Sequence, residues 1–215
     1  MRLKIDPSLV PPAPELTFEK ALWGNGVGTI AGLDEAGRGA LAGPVAVGAV
    51  IFPPDLTLEA QLDGVRDSKL MTPQQRTRWV KVIRGVALSW AVGYASNQEI
   101  DQLGILPATY LASRRALSAL DPAPQHLLLD YILLPDHPCP QTALVKGDSR
   151  SLSIAAASVL AKTSRDALML DLDRSFPDYR FCRHKGYATA EHRESIARLG
   201  VSPVHRLSFS PCTRA

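Results

Sequence analysis

Two adjacent carboxylates, Asp34 and Glu35, are the residues of this chain best suited to chemistry. They follow a run of apolar residues and come just before the segment Gly37-Arg38-Gly39. Carboxylate oxygens suit a hard divalent cation such as Mg²⁺ or Mn²⁺. An arginine beside flexible glycines suits a phosphate. The stretch therefore indicates phosphodiester chemistry.

Two further acids, Asp130 and Asp148, come at or just after the ends of later apolar segments. Ligands of open α/β sheets bind beyond the carboxyl ends of the strands, so we expect all four acids to converge around a cation. Neighbouring strand residues point to opposite faces. We therefore predict that the first strand breaks at Glu35 and that the chain turns at residues 36–37. If Glu35 instead continues the strand with its side chain directed away from Asp34, it cannot be a ligand. The alternative for each acid, taken singly, is a solvated strand end or a helix cap.

Basic and aromatic residues elsewhere are candidates for contacts with a nucleic-acid backbone. Arg183, Lys185 and Tyr187 lie together beside a glycine, and their pattern predicts phosphate contacts and a stacking ring. Lys69 and Lys146 are candidates for further phosphate contacts. The alternatives are an ordinary surface turn for the first group and a helix-entry loop for Lys69.

Several other functional classes lack support in the sequence. The glycines after the first strand are spaced one residue too far apart for the dinucleotide fingerprint, and Pro44 opens a strand where that motif needs a helix. Neither a Walker motif nor a G-x-S-x-G nucleophile motif occurs. The three cysteines include no C-x-x-C pair, which argues against a disulfide framework and a structural zinc site. The histidines at 126, 137, 192 and 205 have no ligand spacing, so we predict that they are structural.

Composition is compatible with a single folded domain. The chain has 215 residues, of which 46% are hydrophobic, and a formal charge of +3. That charge permits a nucleic-acid partner without requiring one, although basic residues gather after Lys146. We find neither a signal peptide nor a long apolar run, and we predict a cytoplasmic protein with no membrane partner and a monomeric state.

The predicted elements describe an α/β domain with a mixed β-sheet and a helical C-terminal part. We assign residues 1–27 to an N-terminal extension with a short helix and residues 28–215 to the catalytic domain. The predicted strands are 29–34, 45–52, 86–95, 126–130 and 142–146. The predicted helices are 15–23, 73–84, 96–104, 107–120, 151–172 and 189–199.

Taken together, these motifs resemble ribonuclease HII, the endonuclease that cuts RNA joined to or embedded in DNA. The resemblance covers the chain from about Ile30 to its tail and implies a ribonuclease H-like fold. The motifs occur in the family's order: Asp34 to Gly39 with Gly43-Pro44, Asp67-Ser68-Lys69, Lys146-Gly147-Asp148, the helix from Ser153 to Lys162, Lys185-Gly186-Tyr187, and His205-Arg206 with Phe209.

The resemblance also implies roles for individual residues. Asp34, Glu35, Asp130 and Asp148 would be the catalytic acids and would hold one or two Mg²⁺ or Mn²⁺ ions. Gly37-Arg38-Gly39 would read the ribose 2′-hydroxyl and Tyr187 would stack on the neighbouring deoxyribose. Arg38, Lys69, Lys146, Arg183 and Lys185 would position phosphates.

The implied substrates are RNA–DNA hybrids and DNA duplexes that contain ribonucleotides, cut on the 5′ side to leave 5′-phosphate and 3′-hydroxyl ends. Two alternatives stay open from the residues alone. One is a non-catalytic module that binds hybrids, and the other is a different nuclease on the same core, such as a junction resolvase. A replication clamp is an unproven partner, because residues 207–215 contain no convincing docking motif.

Overall fold

The computed structural model describes residues 6–135 and 137–213, and in these ranges five strands form one mixed sheet in the order β3-β2-β1-β4-β5. β1 pairs with β2, and β2 with β3, in antiparallel fashion, whereas β1–β4 and β4–β5 are parallel. The predicted mixed α/β sheet is thus confirmed. The strands are β1 Ile30–Ala36, β2 Val45–Ile51, β3 Ser89–Ala95, β4 His126–Asp130 and β5 Gln141–Leu144.

Helices flank the sheet and dominate the C-terminal part of the described chain, as predicted. Short 3₁₀ turns connect several of them, including Ser68–Leu70, Gly147–Ser149 and Pro177–Tyr179. The α-helices are α1 Thr17–Gly24, α2 Leu58–Gln61, α3 Pro73–Val86, α4 Asn97–Leu103, α5 Ile105–Ser118, α6 Leu152–Ser175, α7 Phe181–His184 and α8 Ala190–Leu199.

Capping signals in the sequence set the starts of two of these helices. The Thr72 side chain accepts a hydrogen bond from the Gln75 amide while the Gln75 side chain accepts one from the Thr72 amide. Ser96 and Glu99 form the same reciprocal pair before α4. Each pair satisfies backbone donors that the first helical turn leaves free.

Small residues let one helix approach each face of the sheet closely. A Cβ atom added to Gly48 in β2 would lie 2.3 Å from the Ala157 carbonyl oxygen of α6. One added to Gly93 in β3 would lie 2.1 Å from the Ala112 carbonyl oxygen of α5. The small face predicted for the third strand is therefore the face on which a helix packs. The layers are α6, the sheet and α5.

The first strand does not break where the sequence predicted. β1 continues through Glu35, which pairs with Val47, to Ala36, which pairs with Ala46. The prediction was wrong because β2 supplies an antiparallel partner up to that point. The chain turns only at Gly37, whose φ of +91° favours glycine.

Smaller differences concern the ends of elements. The third strand begins at Ser89 and not at residue 86, because α3 runs on to Val86. The last strand ends at Leu144, and Lys146 adopts the left-handed conformation with φ 55°. The four-residue helices α2 and α7 were not predicted.

The N-terminal helix packs on the body of the fold. Leu16 is fully buried in the cluster beneath α6, and Phe18 and Trp23 pack on a second cluster around β4. The division of the chain at residue 27 stays a prediction. Residues 1–5 of the predicted extension and residues 214–215 of the predicted tail lie outside the described ranges. In the described part of the chain, no helix is both long enough and apolar enough to cross a membrane.

Three histidines form a buried cluster in the C-terminal part. The Nε2 atoms of His192 and His205 lie 3.1 Å apart, and the His192 ring stacks on His184 with 4.3 Å between centroids. The Ser202 amide donates to His205 Nδ1 at 2.9 Å. These contacts agree with the structural role predicted for the histidines at 192 and 205.

Candidate active site

The four predicted acids come from three places that the sheet brings together. β1 and β4 are parallel neighbours with Leu33 opposite Leu129, so Asp34, within β1, lies beside Asp130 at the end of β4. The Asp130 carboxylate accepts a 2.7 Å hydrogen bond from the Gly147 amide. That bond ties the turn that holds Asp148 to the end of β4.

The four carboxylates repel one another in a site that is largely shielded from solvent. Burial raises the pKa of Asp34 well above its ordinary value, and the charges of Glu35, Asp130 and Asp148 raise it further. Burial and the Asp148 charge raise the pKa of Asp130 to about 6. Burial and the Asp67 charge raise that of Asp148. The site accumulates negative charge that a cation would relieve.

Glu35 remains in this acid cluster although its strand does not break. Its charge raises the pKa of both Asp34 and Asp130, and the three residues line one small cavity. Its Oε1 also forms an ion pair with a guanidinium nitrogen of Arg38 at 3.0 Å. At this position near the end of β1, Glu35 is close enough to Asp34 and Asp130 for its charge to affect both.

Lys69 supplies positive charge at the exposed edge of the cluster. Its Nζ lies 3.8 Å from an oxygen of Asp148 and 3.8 Å from one of Asp67. Burial opposes its charge, but Asp34, Asp67 and Asp148 raise the pKa of Lys69 overall. The sequence suggested only a phosphate contact for this lysine.

The donor set fits a hard divalent cation in its chemistry. All four groups are carboxylates, which suit Mg²⁺ or Mn²⁺, and their mutual repulsion favours bound positive charge. Within residues 6–135 and 137–213, however, no group of three His, Cys, Asp or Glu side chains is arranged closely enough to hold an ion. The four acids supply oxygen donors and negative charge. Their side chains must move closer together to complete a coordination shell around an ion.

A cavity of about 790 Å³ adjoins the acids and contains most of the predicted substrate-binding residues. Asp34 and Asp130 line the smaller neighbouring cavity, and Glu35 lines both. Lys146 is exposed and outside these linings. The predicted residues that line the larger cavity are Glu35, Gly37, Arg38, Gly39, Lys69, Arg183, Lys185 and Tyr187.

Two buried arginines hold the loop between β1 and β2, residues 37–44. Arg165 of α6 donates to the carbonyls of Pro44 at 2.8 Å, Ala42 at 3.0 Å and Lys185 at 2.9 Å. Arg206 donates to the carbonyl of Gly43 at 3.0 Å and to that of Arg38 at 2.9 Å. Both side chains are fully buried, so the loop rests on a fixed support.

Sequence reasoning did not identify this support. Ala161, Arg165 and Met169 are spaced four residues apart on α6, and all three are buried. An arginine at the central position of a buried helical stripe could have indicated an internal hydrogen-bonding role. Arg206 was noticed only as part of a motif.

Tyr187 is held beside the same loop. Ala40 forms an isolated β-bridge with Tyr187. The Lys162 Nζ and the Arg165 guanidinium each lie 5.3 Å from the tyrosine ring centroid. These cations favour the face of the ring, so its orientation is set before any substrate arrives. Lys162 is in turn paired with Asp166 at 2.7 Å.

Two further predicted cations, Arg183 and Lys185, have protein partners. Arg183 pairs with Glu191 at 3.1 Å, and the Lys185 amine donates to the Cys182 carbonyl oxygen. Both still line the larger cavity. An incoming phosphate would have to compete with these partners.

Comparison with known proteins places this site in one family. A family model described as Ribonuclease HII matches residues 31–212. The chain is 51% identical over 198 residues to a ribonuclease HII of Dehalococcoides mccartyi, which covers 92% of this chain and 93% of that one.

Solved structures agree with the sequence comparison. The ribonuclease H2 of Pyrococcus horikoshii matches with a TM-score of 0.70 and 25% identity, over 86% of this chain and 95% of that one. The ribonuclease HII of Archaeoglobus fulgidus, solved in complex with PCNA, matches with a TM-score of 0.69 and 25% identity, over 87% and 98%.

The fold and the family match define a ribonuclease H, a nuclease that acts on RNA–DNA hybrids. The chain belongs to the ribonuclease HII family. The fold and family expected from its motifs are therefore confirmed.

Proposed function

We propose that this enzyme hydrolyses the RNA strand of hybrids and also cuts on the 5′ side of single ribonucleotides embedded in duplex DNA. Asp34, Glu35, Asp130 and Asp148 are its catalytic acids. The products have 5′-phosphate and 3′-hydroxyl ends. One observation supports this most: Glu35 lines both the acid cavity and the cavity that contains the Gly37-Arg38-Gly39 loop.

The acids would hold one or two Mg²⁺ or Mn²⁺ ions. When bound, such an ion activates water and neutralises charge on the leaving oxygen. The chain's own contribution is to hold the carboxylates ready. The Gly147 amide orients Asp130, and Lys69 lies 3.8 Å from Asp148, where it offsets part of the repulsion.

Gly39 supports the proposed reading of the ribose. Gly37 needs to be glycine for internal reasons, since its φ is +91° and an added Cβ would lie 2.0 Å from Arg165 Nε. An added Cβ on Gly39 would have no atom of the described chain within 4 Å beyond its own residue and the two adjacent residues. Open space in front of a residue without a Cβ lets a sugar approach the backbone, and the 2′-hydroxyl distinguishes RNA from DNA.

Positioning would come from Tyr187 and the surrounding cations. We assign the tyrosine ring to stacking on the deoxyribose next to the cut. Arg38, Lys69, Arg183 and Lys185 all line the larger cavity. These residues are assigned to phosphates, and Lys146 to a phosphate outside the cavity lining.

A set of three substrates tests the proposal. The enzyme is incubated with Mg²⁺ or Mn²⁺ and an RNA–DNA hybrid, a DNA duplex with one ribonucleotide, or an all-DNA duplex of the same sequence. We expect many cuts in the hybrid, one cut 5′ to the single ribonucleotide, and none in the all-DNA duplex. Ligation and polymerase extension identify the end groups. Cutting of the hybrid but not of the single-ribonucleotide duplex would remove the excision part of the proposal.

A clamp partner is not part of the proposal. The complex with PCNA is a property of the Archaeoglobus protein. In this chain the amides of Leu207 and Ser208 both donate to the Asp101 carboxylate at 2.9 Å, and Cys212 is buried. The described part of the tail therefore turns back onto the body of the fold.

A further inference from the structure

The N-terminal helix α1 places one buried acid at the start of α6. Glu19 has no exposed surface. Its Oε1 accepts hydrogen bonds from Ser151 Oγ at 2.7 Å and from the Ser153 amide at 3.0 Å. Its Oε2 is buried with no hydrogen-bond partner among the described residues. Burying an acid in this way costs free energy, so its position calls for a role.

A continuous chain of hydrogen bonds connects Glu19 to the acid cluster. The Ser151 amide donates to the Gly147 carbonyl at 2.8 Å, and the Gly147 amide donates to Asp130 Oδ1 at 2.7 Å. The residue after Gly147 is Asp148. Two of the four acids are thus linked, through one turn and one serine, to a helix at the other end of the sequence.

The backbone reinforces the same connection. The Glu15 amide donates to the Arg150 carbonyl at 3.3 Å, and the Leu152 amide donates to the Glu15 carbonyl at 2.9 Å. The N-terminal segment therefore holds residues 150–152 on both sides of Ser151. This is the segment that leads from the turn with Asp148 into α6.

We propose that Glu19 is a positioning residue that fixes the Gly147–Ser149 turn, and with it Asp130 and Asp148, in the geometry that catalysis needs. The N-terminal helix then belongs to the catalytic unit, although the family match begins only at residue 31. The inference rests on the proposed catalytic role of the two aspartates. Burial raises the pKa of Glu19, and the hydrogen bonds from Ser151 and Ser153 oppose that rise.

A matched control exists on the same helix. Lys20 pairs with Glu59 at 2.8 Å, which ties α1 to α2 without touching the turn. Lys20→Ala therefore weakens the attachment of the helix and leaves the hydrogen-bond chain from Glu19 intact. Any effect that both variants share is an effect of helix docking alone.

Steady-state kinetics on an RNA–DNA hybrid provide the first test, measured well below the melting temperature of every variant. We expect Glu19→Ala to lower kcat about tenfold, because small displacements of catalytic groups are costly, and to leave KM within about twofold. Lys20→Ala should change neither constant more than about twofold.

Two conservative variants separate positioning from folding, including the case in which Glu19→Ala does not fold. Glu19→Gln keeps the acceptor oxygen and should retain kcat within about twofold. Glu19→Asp shortens the side chain by one methylene group and so moves the acceptor oxygen away from Ser151. We expect its kcat to fall as much as that of Glu19→Ala. Equal kcat in the Gln and Asp variants contradicts the inference.

Amide hydrogen exchange gives a readout independent of activity. In the metal-free enzyme, we expect the Gly147 and Ser151 amides to exchange at least about tenfold faster in Glu19→Asp than in wild type. Lys20→Ala should leave them unchanged. Unaltered exchange in Glu19→Asp overturns the inference.

Two further variants distinguish this inference from the proposed function. If Asp130→Asn and Asp148→Asn keep full activity, the proposed catalytic acids are wrong and the inference falls with them. If both variants are inactive while Glu19→Ala equals Lys20→Ala in kcat, the inference alone fails.

Discussion

Asp34 combines burial with three acidic neighbours, and its replacement should separate stability from activity. Burial and the neighbouring charges raise its pKa, so the ionised form destabilises the fold at pH 8 relative to the unfolded chain. We expect Asp34→Asn to raise Tm by roughly 2–4 °C, which corresponds to about 1 kcal/mol in a chain of this length.

The same variant should lose turnover by at least about 10³-fold, since the amide cannot replace a carboxylate at the site. Binding to a hybrid should stay within about threefold, because the proposed phosphate contacts remain. Thermal unfolding, single-turnover cutting and a binding titration measure the three quantities. A variant that is active, or one that melts earlier than wild type, contradicts this account of Asp34.

Gly37 and Gly39 should respond differently to the same substitution. Gly37→Ala forces a Cβ against Arg165 at a positive φ, so we expect Tm to fall by several degrees and activity to be lost with it. Gly39→Ala meets open space and should leave Tm within about 1 °C. It should nevertheless reduce kcat/KM on a single-ribonucleotide duplex by about tenfold or more, because the Cβ blocks the sugar. Comparable Tm values for the two variants would falsify the assignment.

The sequence predicts functional residues best where a residue type is unusual for its position. Asp34 and Asp130 stood at the ends of apolar strands, where acids are informative. The ion pair between Lys69 and Asp148 was not predictable, since it joins loops 79 positions apart whose approach depends on the packing of α6. Arg206 was also missed in its supporting role, because an arginine is ordinarily expected on the surface.

A single substitution at Arg206 should disturb the loop of residues 37–44. Arg206 donates from two nitrogens to the carbonyls of Arg38 and Gly43, and a lysine cannot reproduce that planar fork. We expect Arg206→Lys to raise KM for a hybrid about tenfold and to lower Tm by roughly 4–8 °C, about 2 kcal/mol. The exposed Arg198, also mutated to lysine, is the control and should behave as wild type. Unchanged KM in Arg206→Lys contradicts the support assigned to that residue.

At the level of elements, the sequence predicted the sheet better than the short connections. Apolar runs located four strands, alternation located the third, and the capping residues Thr72 and Ser96 located two helix starts. The helix Phe181–His184 escaped prediction because four residues contain too little periodicity. The continuation of β1 through Glu35 escaped it because the length of a strand depends on its partner, β2.

Across the whole molecule, buried histidines should make stability depend on pH. Burial lowers the pKa of His192 and of His205 to about 4, below the ordinary value of about 6.5. Between pH 6.5 and 4 the unfolded chain therefore binds more protons than the folded one, and the histidines lose their stabilising contribution as the pH falls. The loss should be on the order of 2 kcal/mol, or roughly 4–8 °C in Tm.

The acid cluster changes stability with pH in the opposite direction. The histidine contribution must therefore be measured as a difference between wild type and a histidine variant. Asp130 has a pKa raised to about 6, and its contribution to stability improves as the pH falls. Thermal unfolding of wild type and of the double variant His192→Gln/His205→Gln between pH 7.5 and 4.5 isolates the histidines. Wild type should lose more Tm on acidification than the variant. Parallel curves exclude the histidine contribution.

The order of the sheet also has a consequence for the newly made chain. β1 lies in the middle of the sheet, but its parallel partner β4 and the helix α6 that covers its glycine-bearing face come late in the sequence. A nascent chain that has emerged only as far as β3 has no helix α6 to cover the apolar surface of its first hairpin, and it lacks Asp130 and Asp148. Folding during synthesis is therefore delayed until the last third of the chain leaves the ribosome. A ribosome-bound chain at that stage therefore lacks two of the four proposed catalytic acids and cannot act as a nuclease.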